Sequence, residues 1–232
     1  MCGYARCVPN PITREEAAHY DEACKSRLAI PGIVLMTHAA VECASILRAE
    51  CGVGPFLAIC GGGNNGGDGY AIVRTLASHG LAAIALEITP PRPNSDAHTM
   101  REAARRMGLV AAWSSNLRRE RDPANTPVII DAIFGIGLDR PPTGAALEAI
   151  EWINAMGAAG SRVYAIDLPS GLGDAFFPTS DHTPAIVRAT RTLTMVAPKR
   201  SMVDPVAKGF VGEVTCVPIG GPTDPRSHLM ME

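Results

Sequence analysis

Three short segments gather the residue types that can do chemistry. The first, Gly61-Gly-Gly-Asn-Asn-Gly-Gly-Asp-Gly69, puts six glycines, two carboxamides and a carboxylate into nine residues. Such a stretch lets backbone N–H groups and amide side chains approach a ligand closely. Gly61–Gly66 satisfies GxGxxG, and Glu87 lies 21 residues beyond Gly66. Read literally, that spacing is a dinucleotide fingerprint, with the acidic residue on a ribose hydroxyl. Gly67 and Gly69 are expected to delay the following helix, and Asp68 sets a carboxylate near where pyrophosphate would rest. No Gly-Lys-Ser/Thr follows, which excludes a Walker loop. The second segment is Asp131-Ala-Ile-Phe-Gly135 and the third Asp167-Leu-Pro-Ser-Gly171. The seven cysteines include no CxxC pair, so a zinc site is not expected, and they read as small buried hydrophobes.

These segments need elements to position them. Thr13 with Glu16 forms a capping box that opens a helix toward Ala29. Pro31-Gly32 breaks it, and a second helix spans about Ile33 to Glu50. Buried strands are expected at Pro55–Cys60, Ala82–Ile88, Val128–Ile133, Arg162–Ile166, Thr192–Val196 and Glu213–Val217. Helices fall at Tyr70–His79, Asp96–Gly108 and Thr143–Met156, with Pro198–Gly212 as a loop. Alternating strands and helices predict an α/β fold, a Rossmann-like three-layer sandwich with a mostly parallel sheet. In such sheets ligands bind beyond the carboxyl ends of the strands. Asn64–Asp68, Asp131 with Gly135, and Asp167 with Ser170 all fall at those ends and can line one crevice.

Composition bounds the class. The 232 residues are 47% apolar and 19% charged, with a mean hydropathy of +0.10, which excludes disorder and predicts one domain over residues 1–232. A formal charge of −2 gives no reason to expect nucleic acid as a partner. No uninterrupted apolar run approaches a membrane span, and no secretory signal is visible, so a cytoplasmic protein is expected. The cluster Arg118-Arg119-Glu120-Arg121 is self-neutralised and reads as a solvated face.

The sequence resembles the NAD(P)H-hydrate epimerases, the YjeF N-terminal domain family. The matching stretches are Gly61–Gly69, Val128-Ile-Ile-Asp-Ala-Ile-Phe-Gly-Ile-Gly-Leu-Asp-Arg-Pro141 and Ile166-Asp-Leu-Pro-Ser-Gly171. Weaker matches are Ile30–Met36, Ala197-Pro-Lys199 and Gly209–Val214, so the resemblance runs from about residue 12 to 220. It implies interconversion of the two epimers of hydrated NADH or NADPH, with a separate dehydratase restoring the cofactor and a potassium ion assisting. Carried onto matching positions, Asn65, Asp131 and Ser170 ligate potassium. Asn64, Asn65, Gly66, Gly67, Asp68, Gly135, Ile136, Gly137, Leu138, Asp139, Arg140, Pro141 and Asp167 contact the substrate. Oxygen donors of this kind suit a hard cation. Asp131 or Asp167 is the expected general acid/base, acting on an iminium formed when the ring nitrogen expels water; ring opening and reclosure is the competing route. The resemblance also implies a possible homodimer, and the length leaves no room for a fused dehydratase domain.

The sequence departs from the family at two places. Thr37-His38 stands where Glu-Asn is usual, and losing that pair is expected to alter the lining of the site. His38 is read either as a substitute polar contact or acid/base or, as a lone histidine on a helix more often is, as a structural or solvated residue. After Leu172 an aspartate-rich turn is replaced by Gly173-Asp174-Ala-Phe-Phe177, whose phenylalanines could cover the site or form a contact patch. Two further readings stay open. One is a non-catalytic nucleotide- or protein-binding module of the same fold, favoured by Thr37-His38. The other is an NAD-dependent dehydrogenase, resting on GxGxxG and Glu87. Lys199 is read either as a phosphate ligand or as a solvent-exposed strand-end residue, and for Asp131 and Asp167 capping of the turn after a strand is the lesser alternative.

Overall fold

A computed structural model describes residues 10–114, 127–173 and 185–227. The Arg118–Arg121 cluster and the Asp174–Phe177 turn lie outside the described residues. Seven strands form one sheet: β1 (Phe56–Cys60), β2 (Ala83–Glu87), β3 (Val110–Ala112), β4 (Val128–Ala132), β5 (Val163–Ile166), β6 (Arg191–Met195) and β7 (Glu213–Val217). Their order is β3-β2-β1-β4-β5-β6-β7, and every pairing is parallel. Among the described residues every strand of the expected α/β sheet is parallel. Strands covered on both faces need apolar residues at successive positions, which is why Val128–Ala132 is buried throughout.

Helices α1 (Arg14–Ser26), α2 (Gly32–Cys51), α3 (Asn64–Ser78), α4 (Asp96–Arg106) and α5 (Gly144–Ala158) build the outer layers. Residues on one face of the strands, including Ala58, Cys60, Ile130 and Ala132, pack against α2, α3 and α4 through Leu47, Tyr70, Ile72 and Met100. The alternate residues, Ile59, Ile129 and Ile133, pack against Ile150, Trp152 and Ile153 of α5. The two-residue period of the strands therefore sorts side chains between two cores. By length and composition α2 could cross a membrane, but Leu35, Met36, Ala39, Ala40, Cys43, Ala44, Ile46 and Leu47 are buried in this packing.

The capping box at Thr13 is present: Glu16 N–H donates to Thr13 Oγ1 at 3.1 Å, and Thr13 N–H donates to Glu16 Oε2 at 2.7 Å. α1 ends at Ser26, three residues before the sequence suggests. Ile12, just ahead of α1, makes a parallel bridge to Lys199 just past β6: its N–H donates to Pro198 O, and Arg200 N–H donates to Ile12 O, both at 2.9 Å. That bridge ties α1 to the carboxyl end of the sheet. The segment expected to be a loop from Pro198 to Gly212 contains two short helices, α6 (Arg200–Val203) and α7 (Lys208–Val211), with a 3-10 turn at Pro205–Ala207 between them.

Candidate active site

A cleft of about 960 Å³ opens beyond the carboxyl ends of the strands. It lies where strand order reverses, between β1 and β4, the usual ligand position in such sheets. Its volume sits at the upper end of the range for small-molecule sites, suiting a ligand as large as a dinucleotide. Of the expected contacts, Asn64, Asn65, Asp68, Gly135, Ile136, Gly137, Leu138, Asp139, Arg140, Pro141 and Asp167 all line it. Gly66, Gly67, Asp131 and Ser170 do not; they lie buried behind its wall.

The glycine segment differs from its sequence-based reading. α3 begins at Asn64, so Gly66, Gly67 and Gly69 are helical, and the helix opens inside the motif rather than after it. Glycine in a helix costs about 1 kcal/mol relative to alanine, and close packing explains its use here. A Cβ on Gly67 would meet Ala97 Cα and Met36 Cε, each at 2.8 Å; one on Gly69 would meet Cys60 Sγ at 2.7 Å. The helix therefore lies against its neighbours with no space for side chains. Gly67 N–H already donates to Gly63 O, leaving the amides of Asn64, Asn65 and Gly66 as the first-turn donors.

Beneath the wall, Asp131 is wholly buried at the end of β4. Ser170 brackets it: the Ser170 backbone N–H donates to Asp131 Oδ2 at 2.8 Å and its hydroxyl to Oδ1 at 2.6 Å. Ile133 N–H adds a longer contact to Oδ1 at 3.3 Å, and Phe134 N–H donates to Ser170 Oγ at 2.9 Å. Burial pushes the Asp131 carboxyl up to about 6, while the Ser170 and Ile133 hydrogen bonds oppose the rise by favouring the ionised form. Asp131 and Ser170 thus form one unit linking the β4 and β5 loops.

Asp167, just past β5, behaves differently. It is a non-glycine residue at φ +65°, a left-handed conformation that costs on the order of 1 kcal/mol. Its side chain lines the cleft, and Oδ1 pairs with Lys199 Nζ. Lys199 is 3% exposed, so the solvent-exposed reading fails. Its ammonium also donates to Thr194 Oγ1 and Met195 O, each at 3.0 Å, which uses all three donors. Asp167 Oδ2 faces Gly135: a Cβ there would lie 3.1 Å from Oδ2 and 3.5–3.6 Å from Asn65 Cβ and Cγ. The missing side chain keeps a gap between carboxylate and carboxamide. Asn65 is 7% exposed, and among the described residues neither its Oδ1 nor its Nδ2 has a hydrogen-bond partner. A buried amide left unpaired at both ends costs about 1–3 kcal/mol per group unless a ligand completes it.

Four more carboxylates line the cleft, Asp21 of α1, Asp68 of α3, Asp96 of α4 and Asp139 beyond β4. Burial, then the negative charge of Asp167, pushes Asp21 up to about 6, with Lys199 and Lys25 opposing. Burial followed by Asp167 and Asp21 raises Asp68 well above its ordinary value. Asp21 carries no signal in the sequence, because a single aspartate on an amphipathic helix is ordinary.

Glu87 is not free to bind a ribose. Arg101 holds it in a two-point pair, Nε to Oε2 at 2.7 Å and Nη2 to Oε1 at 2.9 Å, and Tyr70 OH donates at 2.9 Å. The Arg101 bonds hold its carboxyl below the usual value. The dehydrogenase reading loses its acidic residue.

Residues 32–201 match the model of the YjeF-related protein N-terminus family. The chain is 33% identical over 205 residues to an NAD(P)H-hydrate epimerase of Limosilactobacillus reuteri, covering 88% of this chain and 92% of that one. It is 31% identical over 216 residues to the NAD(P)H-hydrate epimerase of Rhodopirellula baltica, covering 92% and 86%. The chain belongs to this family. The fold is shared with a yeast protein of known crystal structure, at a TM-score of 0.72 and 17% identity over 89% of this chain and 86% of that one.

The departure from the YjeF pattern at Thr37-His38 falls away from the cleft. Leu35, Met36 and Ala39 present α2 to the cavity, and neither Thr37 nor His38 lines it. Thr37 Oγ1 donates back to Ile33 O at 2.7 Å. His38 is exposed, with Nδ1 3.3 Å from Pro218 O. The expectation that this pair alters the lining is therefore corrected, and His38 takes its solvated reading.

Proposed function

We propose that this chain epimerises hydrated NADH and NADPH, and that Asp167 is the group that exchanges protons with the reacting hydroxyl. The observation that carries the reading is the pairing across Gly135: Asp167 Oδ2 on one side and the unpartnered Asn65 carboxamide on the other, on the wall of a dinucleotide-sized cleft. The relatives' names supply the reaction, and this geometry supports the assignment of its means. In the hydrate, the hydroxyl-bearing carbon adjoins the ring nitrogen. The nitrogen lone pair forms a C=N bond as the hydroxyl leaves with a proton, and water returns to the other face. Asp167 acts as acid when the hydroxyl on its own face departs and as base when water returns on that face, contributing about 10²–10⁴-fold. Lys199 holds Oδ1 and leaves Oδ2 for this work. Asp131, its oxygens engaged by Ser170, orients the β4 and β5 loops. Asn64, Asp68 and the Gly135–Pro141 segment hold the remainder of the nucleotide.

The unpartnered Asn65 Oδ1, set across Gly135 from the Asp167 carboxylate, is an oxygen donor that suits a hard monovalent cation. Asn65, Asp131 and Ser170 would hold potassium, which would supply positive charge beside an anionic substrate. A separate dehydratase would consume one epimer. The binding-module reading rested on Thr37-His38, and those residues lie off the cleft. The test is to incubate purified protein with one hydrate epimer, in potassium or in sodium, and follow the epimer ratio. Exchange much faster than the spontaneous rate, and faster in potassium, is expected. Exchange at the spontaneous rate in both salts would overturn the reading.

A further inference from the structure

Epimerisation by loss and re-addition of water makes a demand that a single carboxylate does not meet. The hydroxyl departs from one face of a planar ring and returns to the other, so proton exchange is needed on both sides. Asp167 reaches the cleft from the strand ends, at one wall. Asp21 reaches it from α1, which the Ile12–Lys199 bridge pins over the carboxyl edge of the sheet.

Asp21 is half-buried, yet among the described residues its carboxylate makes no hydrogen bond and no ion pair. The cation one turn along, Lys25, is bridged to Glu22 at 3.0 Å. An unpaired carboxylate in such a place lowers stability and gains no bond in return, a pattern typical of functional groups. Independently, the Asn65 carboxamide, 7% exposed and unpartnered at both atoms, marks the same cavity as built for a ligand. Resting on the epimerase reading, we propose that Asp21 is a second catalytic residue, exchanging protons on the ring face opposite Asp167.

The step balances. The C–O bond breaks with its electron pair on oxygen, which takes a proton from the Asp21 carboxyl group and leaves as water, while the ring-nitrogen lone pair forms C=N. Water then attacks carbon from the Asp167 side, gives a proton to Oδ2, and the C=N pair returns to nitrogen. One proton has moved from Asp21 to Asp167. Exchange with solvent through the open cleft, or a turnover in the other direction, resets both.

The experiment follows each epimer of NADH hydrate separately in water enriched in oxygen-18, with wild type, Asp21→Asn and Asp21→Glu. In wild type, label enters with inversion. In Asp21→Asn, inversion falls by about 100-fold or more. One epimer, whose hydroxyl faces Asp167, still gains label with retained configuration, and the other does not. Asp21→Glu recovers part of the inversion. Inversion in Asp21→Asn within threefold of wild type would overturn the proposal. So would equal loss of inversion and retentive exchange for both epimers, which is the signature of a structural role. A wild type that accelerates neither process overturns the epimerase reading itself, and is told apart by that control.

Discussion

The Asp167–Lys199 pair offers the sharpest test of the physical argument. Both side chains are nearly enclosed, at 12% and 4% exposure, so solvent screening is slight. Asp167→Asn keeps an oxygen for Lys199 and a residue type that tolerates φ +65°, so the backbone is unchanged and only the charge is removed. The ammonium then lies buried against three neutral acceptors, Thr194 Oγ1 and Met195 O among them. Removing one partner of a buried pair costs about 3–5 kcal/mol. At about 2–4 °C per kcal/mol for a chain of this size, the melting temperature should fall by roughly 6–20 °C. Lys199→Met should destabilise comparably, by stranding the carboxylate. The double variant D167N/K199M should be much less destabilised than the sum of the singles, because neither uncompensated charge remains. The assay is urea denaturation of all four proteins at neutral pH. Additivity within about 0.5 kcal/mol would refute the claim that these groups act as a unit.

Three further outcomes follow from the geometry. Glu87→Gln should lower stability by about 1.5–3 kcal/mol, through loss of the charged bonds to Arg101, and leave the KM for hydrate unchanged; a raised KM would restore a ribose-binding role. His38→Asn, which returns one family residue, should change neither kcat nor KM, since His38 lies outside the cleft; a gain in kcat measured on a single epimer would contradict that placement. Asp21, raised to about 6 in the fold from an ordinary value of 3.8, stabilises fully below about pH 4, and that contribution is lost as pH rises through 6. The groups facing it are Asp68, Asp167, Lys25 and Lys199, so Asp21→Asn should flatten the fall in stability between pH 4 and 7. An unchanged slope in urea titrations would refute this.

Much of the fold is legible in the sequence, because parallel strands buried on both faces must be continuous apolar runs. Val128–Ala132 and Phe56–Cys60 announce themselves that way. The edge strand β3 does not: three residues, two of them half-buried, leave no pattern. The glycine segment is misread because helix propensity is a local quantity. The contacts of Gly67 with Met36 and Ala97 and of Gly69 with Cys60 are tertiary, and they override it. The strand-end aspartates are legible as a group, but their roles are not. Only the structure shows that Ser170 engages both oxygens of Asp131, while one oxygen of Asp167 faces the gap at Gly135. The burial of Lys199 and the place of Asp21 in the cleft are not legible for a related reason, since burial of a single charged residue depends on chain segments far away.

The bridge between Ile12 and Lys199 has a consequence for how the molecule comes into being. Its two sides are separated by nearly the whole described chain. During synthesis α1 emerges early, yet the strand end that receives it appears after β6, so α1 must wait for most of the polypeptide. Closing so long a loop is entropically slow, and such contacts belong to the late stages of folding. The sheet from β3 to β5 and the helices on it can assemble earlier on local pairings. The wall carrying Asp21, and the lysine that holds Asp167, join together through that bridge. The cleft thus closes only once α1 has met the end of β6, and a chain halted before residue 200 would carry glycines, amide and aspartates with no closed cleft around them.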